Sequence, residues 1–401
     1  MSADQGTQPA GYLVPGKEMN RPQYEIADVI RQFGAHFTAE YQPNSYQQRV
    51  LNALSICRTS ELGGHKEICD CCTKQRISYN SCRNRHCPKC KGSKQAFWVE
   101  DLMETTLEVK HYHIVFTVPH ELNTVCLLDS QWFYRVLFGA VWETLRQLGY
   151  TRFGIETGAV CVLHTWGQNL SLHPHIHCIV PAAGETLAGN LKHIGSSGKY
   201  LYPVRQLSQV FRGKLMECIE IRLKKQSLYE QYKPLLKGAR NKPWSVNCEP
   251  SLAKAEHVVR YLGQYTHRVA ITNQRIISVD EKNVTFRHKD YRDGAKQKPV
   301  TLTGVEFLRR FCQHILPHRF VKIRRYGIYS SRARALKEKA NPKMQIKHRA
   351  KETTQERIKR LMGFDVYQCP HCKRGTMYRI EELPRVRSPT SFYAQNIRHH
   401  K

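Results

Sequence analysis

Two short stretches of alternating, β-rich sequence constrain this chain most. Residues 159–166 read AVCVLHTW and residues 174–181 read PHIHCIVP. Both predict strands, and the residues between them, from Gly167 onward, suit a hairpin loop. Alternate side chains of a strand share a face, so His175 and His177 point the same way with α-carbons about 6.5–7 Å apart. Ile176, Cys178 and Val180 then face the core. Two imidazoles at that spacing can share one metal ion. His164 reaches the same place if the two strands pair, and Gln168 in the loop can add an oxygen. His173 ranks below them because Pro174 restricts its backbone. The competing reading, two ordinary histidines on a solvated strand face, stays open for so short a motif.

The sequence around this hairpin mixes strands with helices. Residues 111–119 (HYHIVFTVP) and 244–248 predict further strands, 201–203 a short extended piece, and 275–279 with 283–287 a second hairpin around Asp280-Glu281-Lys282. Helical patterns cover 44–57, 96–107, 130–148, 205–225, 251–266 and 305–316. Strands joined by hairpins and mixed with helices imply an α+β fold with an antiparallel or mixed sheet. Composition shifts divide the chain into a flexible lead-in (1–35), a small metal-stapled module (36–105), a catalytic domain (106–290) and a basic C-terminal region (291–401).

The pattern over 257–268, HVVRYLGQYTHR, is helical, and Tyr261 and Tyr265 are four residues apart on one face. Arg260, His267 and Arg268 are within reach of a phosphate. A tyrosine oxygen is a competent nucleophile toward phosphorus, and the covalent link preserves bond energy. Val258, Leu262 and Val269 form an apolar stripe beside them, so core packing of either tyrosine is the competing reading.

Charge narrows the partner. Lys and Arg number 63 against 33 for Asp and Glu, a formal net charge of +30, which implies a polyanion, with nucleic acid ahead of an anionic membrane. No apolar run approaches the ~18 residues of a membrane span, and the polar N-terminus lacks a signal core, so a cytoplasmic protein is expected. In that reducing compartment 15 cysteines point to metal sites more than disulfides. Cys126, Cys218 and Cys312 lie in apolar segments and read as buried hydrophobes.

Cys69-x₂-Cys72 and Cys87-x₂-Cys90, fourteen residues apart, have the spacing of one tetrahedral zinc site, with Cys71, Cys82 and His86 as spare ligands. Basic residues including Arg83 and Arg85 would make this module a DNA-contacting surface. A zinc deaminase expects His-x-Glu upstream of Pro-Cys-x-x-Cys, whereas Pro88 lies inside the knuckle. A second pair, Cys369 and Cys372, stands alone near the C-terminus, as half of another zinc site or as two spare thiols.

These motifs together resemble a known family. HPHIHCIV resembles the His-hydrophobic-His signature of the HUH endonuclease superfamily, and YLGQYTHRVAI resembles the paired-tyrosine helix of its rolling-circle transposases from bacterial insertion sequences. HIVFTVPHEL, LHTWGQNL, FRHKDYRDG and RRFCQHILP with FVKIRRYGIYS are similar to other stretches of that family, in the same order over roughly residues 40 to 380. The resemblance implies an HUH-type sheet, cleavage of single-stranded DNA at transposon ends, a 5′-phosphotyrosyl intermediate, and a bacterial, nucleoid-associated protein. It implies a catalytic Mg²⁺ or Mn²⁺ on His175 and His177, Tyr261 and Tyr265 as nucleophiles, and an N-terminal zinc-binding domain. His164 as third ligand is inferred from the hairpin alone. A plasmid or phage replication initiator or a relaxase would use the same chemistry, although no P-loop of a fused helicase is found. A zinc-dependent DNA-binding protein without catalysis is the alternative from another class.

Overall fold

The expected hairpin forms the centre of the molecule. The computed structural model describes residues 22–90, 92–194, 201–252, 269–290, 293–331 and 352–386. In chain order the elements are α1 (Ile26–Tyr41), α2 (Ser45–Ser55), β1 (Gly64–Cys69), β2 (Gln75–Tyr79), α3 (Gly92–Thr105), β3 (His111–Thr117), α4 (Asn123–Leu128) and α5 (Ser130–Phe153). Then come β4 (Ile155–Trp166), β5 (Leu172–Pro181), β6 (Ala183–Thr186), β7 (Leu191–His193), α6 (Val204–Lys225), α7 (Tyr229–Arg240) and β8 (Val246–Leu252). The remainder is β9 (Ile276–Val279), β10 (Asn283–Asp290), β11 (Lys296–Thr303), α8 (Gly304–Gln313), β12 (Ile323–Gly327), α9 (Thr354–Met362) and β13 (Met377–Leu383). The fold is α+β.

The central sheet is antiparallel, in the order β7-β6-β4-β5-β3-β8, with β12 along the other edge of β4. Its strands are apolar on both faces because both are covered over most of their length. One face carries Tyr112, Ile114, Phe116, Cys161, Leu163, Ile176, Cys178 and Val180, packed against Phe133, Leu137 and Phe138 of α5 and Phe211, Leu215 and Ile219 of α6. On the other face α3 and the turn after β12 cover one end, where Leu102 and Leu107 meet Val160, Ile179, Ile328 and Tyr329. The rest of that face belongs to histidines.

A second core joins distant parts of the chain. α1 and α2 pack on α8 and the β9-β10-β11 sheet through Ile30, Phe33, Phe37, Leu51, Phe286, Phe307 and Phe311. The lead-in expected over residues 1–35 therefore gives way to a buried helix at Ile26. Ile26, Val29, Ile30, Phe33 and Phe37 have the spacing of one helical face, and Glu25 and Asp28 form a capping box. The helix expected over 251–266 also starts differently, since Ser251 and Leu252 extend β8; its remainder lies outside the described residues. No strand forms at 201–203.

A third, small sheet of order β13-β1-β2 lies apart from the other two. Its strand β13 comes from the stretch that the sequence places in a separate C-terminal region. α9, from the same stretch, is anchored on α3, where Arg357 meets Glu100 at 2.8 Å and Asp101 at 2.6 Å.

Candidate metal centres

Cross-strand register assembles the histidines. His164 on β4 lies directly opposite His175 on β5, and His177 lies opposite Val162, so all three rings rise from one face. Ring centroids are 5.3 Å apart for His164–His175, 4.5 Å for His164–His177 and 5.0 Å for His175–His177. One nitrogen from each lies within 4.8 Å of the others, close enough to hold a single ion. The hairpin inference from sequence thus brings His164 to His175 and His177.

Neighbouring groups orient these rings. The Nδ1 of His175 lies 2.7 Å from the His173 carbonyl, so it carries the proton and donates, which leaves Nε2 with its lone pair. His173 serves through its backbone. The Nδ1 of His177 lies 2.9 Å from Nε2 of His113 on β3, with the two rings within 3° of coplanar. Sequence reasoning missed His113. Its alternation with His111 is visible in HYHIVF, but only the strand order places β3 beside β5. His164 stacks on Trp166 at 4.8 Å, and the Lys322 ammonium sits 5.0 Å from the ring centroid of that tryptophan.

Burial keeps His175 neutral. His164, His113 and His177 are buried. Burial, reinforced by His173 and by the positive charge of Lys322, pulls the pKa of His175 down to about 3. Neutral imidazole is the form that binds a metal. No carboxylate joins this group among the described residues.

The cysteines divide differently from expectation. Cys69, Cys72, Cys87 and Cys90 do not form one site. Cys87 and Cys90 join Cys57 and Cys82, while Cys69 and Cys72 join Cys369 and Cys372. The cause is the β1–β2 hairpin, which carries the first knuckle to its tip, about 17 Å of strand away from its base. Cys57, at the end of α2, and the 82–90 loop lie at that base, where Arg58 N–H bonds the Asn80 carbonyl at 3.2 Å. Sulfur separations there are 3.5 Å for Cys57–Cys90 and Cys57–Cys87 and 3.6 Å for Cys82–Cys90. A tetrahedron of thiolates around zinc has edges of about 3.8 Å. Cys82 was legible as a spare ligand. Cys57 was not, because it belongs to no knuckle.

The remaining candidates are less informative. Arg83 is exposed. Arg85 is turned onto its own fold, with one guanidinium nitrogen 2.7 Å from the Phe320 carbonyl. Tyr261, Tyr265, Arg260 and Arg268 lie outside the described residues. The chain enters their segment from Leu252, paired with His111, and leaves it at Val269, just before Ala270 and Ile271 pack with Leu170 beside Trp166.

Comparison with known proteins matches two family models. One, described as "Transposase zinc-binding domain", matches residues 29–118, and one described as "Putative transposase" matches residues 158–337. The chain is 38% identical over 395 residues to "Putative transposase y4qJ" of Sinorhizobium fredii, covering 92% of this chain and 98% of that relative. It is 25% identical over 314 residues to "Transposase for insertion sequence element IS801" of Pseudomonas savastanoi pv. phaseolicola, covering 76% and 75%. No solved structure matches it. The zinc-binding match contains all of Cys57, Cys82, Cys87 and Cys90, and the other match contains all three site histidines. Cys369 and Cys372 lie beyond both.

Proposed function

The chain belongs to the IS91-type family of insertion-sequence transposases, and from that premise we propose that it nicks and rejoins single-stranded DNA at insertion-sequence ends by metal-assisted tyrosine attack. The convergence of three imidazoles on one sheet face is the observation that carries this reading.

His164, His175 and His177 would hold a divalent ion, which would polarise the scissile phosphate and neutralise charge developing on it. Three nitrogen donors suit a transition ion such as Mn²⁺ better than Mg²⁺, which demands an octahedral, mostly oxygen shell. The His173 carbonyl and His113 fix the two β5 rings so that each presents Nε2. Tyr261 or Tyr265 supplies the nucleophile: its oxygen bonds to phosphorus as the bond from phosphorus to the 3′ oxygen breaks. The phenolic proton is balanced by the 3′-hydroxyl that leaves. The 5′ end stays on the tyrosine until another 3′-hydroxyl attacks and reverses the exchange. Two tyrosines let a second strand be cut before the first link is released. Lys322, whose ammonium lies 5.0 Å from the centroid of the Trp166 ring that stacks on His164, would hold a phosphate there.

Nicking of a labelled single-stranded insertion-sequence end, with Mn²⁺ and with chelator, tests this reading. The His175→Ala/His177→Ala variant is expected to lose cleavage while keeping DNA affinity, because affinity comes from Lys and Arg. Undiminished, chelator-resistant cleavage by that variant contradicts the site. Absence of cleavage by the wild-type chain favours a DNA-binding protein without catalysis.

A further inference from the structure

The cysteine group at the tip of the β1–β2 hairpin takes no part in that chemistry. Cys69 Sγ lies 3.7 Å from Cys372 Sγ, and Cys72 Sγ lies 3.7 Å from Cys369 Sγ. All four sulfurs are within 4.8 Å of one another. These are the edges of a tetrahedron around zinc, about 3.8 Å, and not the ~2.05 Å of a disulfide.

The backbone repeats itself around the two pairs. Thr73 N–H donates to the Cys69 carbonyl at 3.1 Å, and Lys373 N–H donates to the Cys369 carbonyl at 2.9 Å. Each of these turns places its fifth residue in the left-handed region, Thr73 at φ 56° and Lys373 at φ 56°. In both, the first cysteine's N–H is tied to a carbonyl just past the turn, Lys74 at 3.0 Å and Gly375 at 2.8 Å. Backbone N–H groups aim at the sulfurs: Cys71 and Cys72 at Cys69 Sγ (3.4 and 3.5 Å), and Gly375 at Cys372 Sγ (3.3 Å). Such bonds stabilise thiolates, the form a metal binds.

The two turns also interlock. Asp70 N–H donates to the Thr376 carbonyl at 3.1 Å, and its carboxylate accepts from Thr376 N–H at 2.8 Å. Gly375 sits so close that a Cβ there would lie 2.5 Å from Cys69 Sγ. β13 then runs antiparallel to β1, from Cys69↔Met377 to Gly64↔Leu383.

We propose that Cys69, Cys72, Cys369 and Cys372 bind a second structural zinc ion, distinct from the one at Cys57, Cys82, Cys87 and Cys90, that clasps the two ends of the chain into one zinc ribbon. The paired knuckles are 297 residues apart in sequence between Cys72 and Cys369. A clip across so long a loop removes much of the freedom of the open chain. It makes the C-terminal strand part of the N-terminal module, so that neither end is a complete unit without the other.

Metal analysis of the full-length protein, purified without chelator, tests the clasp. The wild type is expected to carry two zinc ions per chain. Cys369→Ser/Cys372→Ser and Cys87→Ser/Cys90→Ser are each expected to carry one. In the wild type, Cys369 and Cys372 should resist iodoacetamide until chelator is added. Chelator should then speed tryptic cleavage around β13 by about tenfold or more, because cleavage follows the opened population. This arm needs no variant and so survives misfolding of the serine proteins. One zinc per wild-type chain with immediate alkylation of Cys369 and Cys372 overturns the proposal. So does a mass showing two disulfides among the four.

Discussion

At the scale of the residue, metal binding on the sheet face depends on which nitrogen each histidine presents. For His177 to offer Nε2 to an ion, its Nδ1 must carry the proton and donate to Nε2 of His113. His113 is thus a positioning residue. His113→Ala is expected to raise the Mn²⁺ concentration needed for half-maximal nicking by about 10–100-fold, with activity returning at saturating Mn²⁺. An unchanged Mn²⁺ dependence contradicts that role, and a loss that no amount of Mn²⁺ restores would mean a collapsed site. His164, His175 and His177 were legible in sequence because a period of two and one short hairpin determine their neighbours. His113 and Cys57 were not, since each meets its partners only through strands or loops whose order no local pattern encodes.

At the scale of the element, the strand that brings Lys322 to the site rests on one backbone conformation. Gly327 closes β12 opposite Gly158 at φ 52°, and a Cβ there would lie 1.9 Å from the Thr157 carbonyl oxygen. Gly327→Ala combines left-handed strain with overlap against a rigid strand, and is expected to cost about 2–4 kcal/mol of stability. Urea unfolding measures it; a loss under about 0.5 kcal/mol, the size of a neutral surface change, contradicts the packing described. β12 itself reads IRRYG, a charged edge strand without alternation, and so gave no strand signal. The long helices α5 and α6, the short but strongly amphipathic α8 and the β4–β5 and β9–β10 hairpins were readable because their partners are near in sequence or their periodic patterns are clear. The pairing of β1 with β13 was not, because it joins residues some 300 apart, and α1 was masked by the polar stretch before it.

At the scale of the whole molecule, buried neutral histidines link folding to pH. Burial pulls His111 and His314 down to about 4 from an ordinary value of 6.5. His111 contacts the Val109 carbonyl and the Tyr329 hydroxyl, and His314 contacts Thr165 and the Leu170 carbonyl. The unfolded chain binds these protons first, so stability is full above about pH 6.5 and is lost as pH falls toward 4. Each histidine contributes on the order of 3 kcal/mol to that loss. Thermal unfolding at pH 7.5 and pH 5 should show a marked fall at the lower pH; equal midpoints contradict the burial of these rings. The 63 basic residues against 33 acidic suit a polyanionic partner, and the two family matches are to transposases. Locating the covalent link tests whether a tyrosine oxygen attacks phosphorus beside a histidine-held ion. Full-length protein, a single-stranded insertion-sequence end and Mn²⁺ are incubated, digested with protease and nuclease, and analysed by mass spectrometry. A nucleotide is expected on Tyr261 or Tyr265, absent with chelator and absent from the Tyr261→Phe/Tyr265→Phe variant, which still binds DNA. A nucleotide on any other residue, or cleavage with no adduct at all, would contradict it.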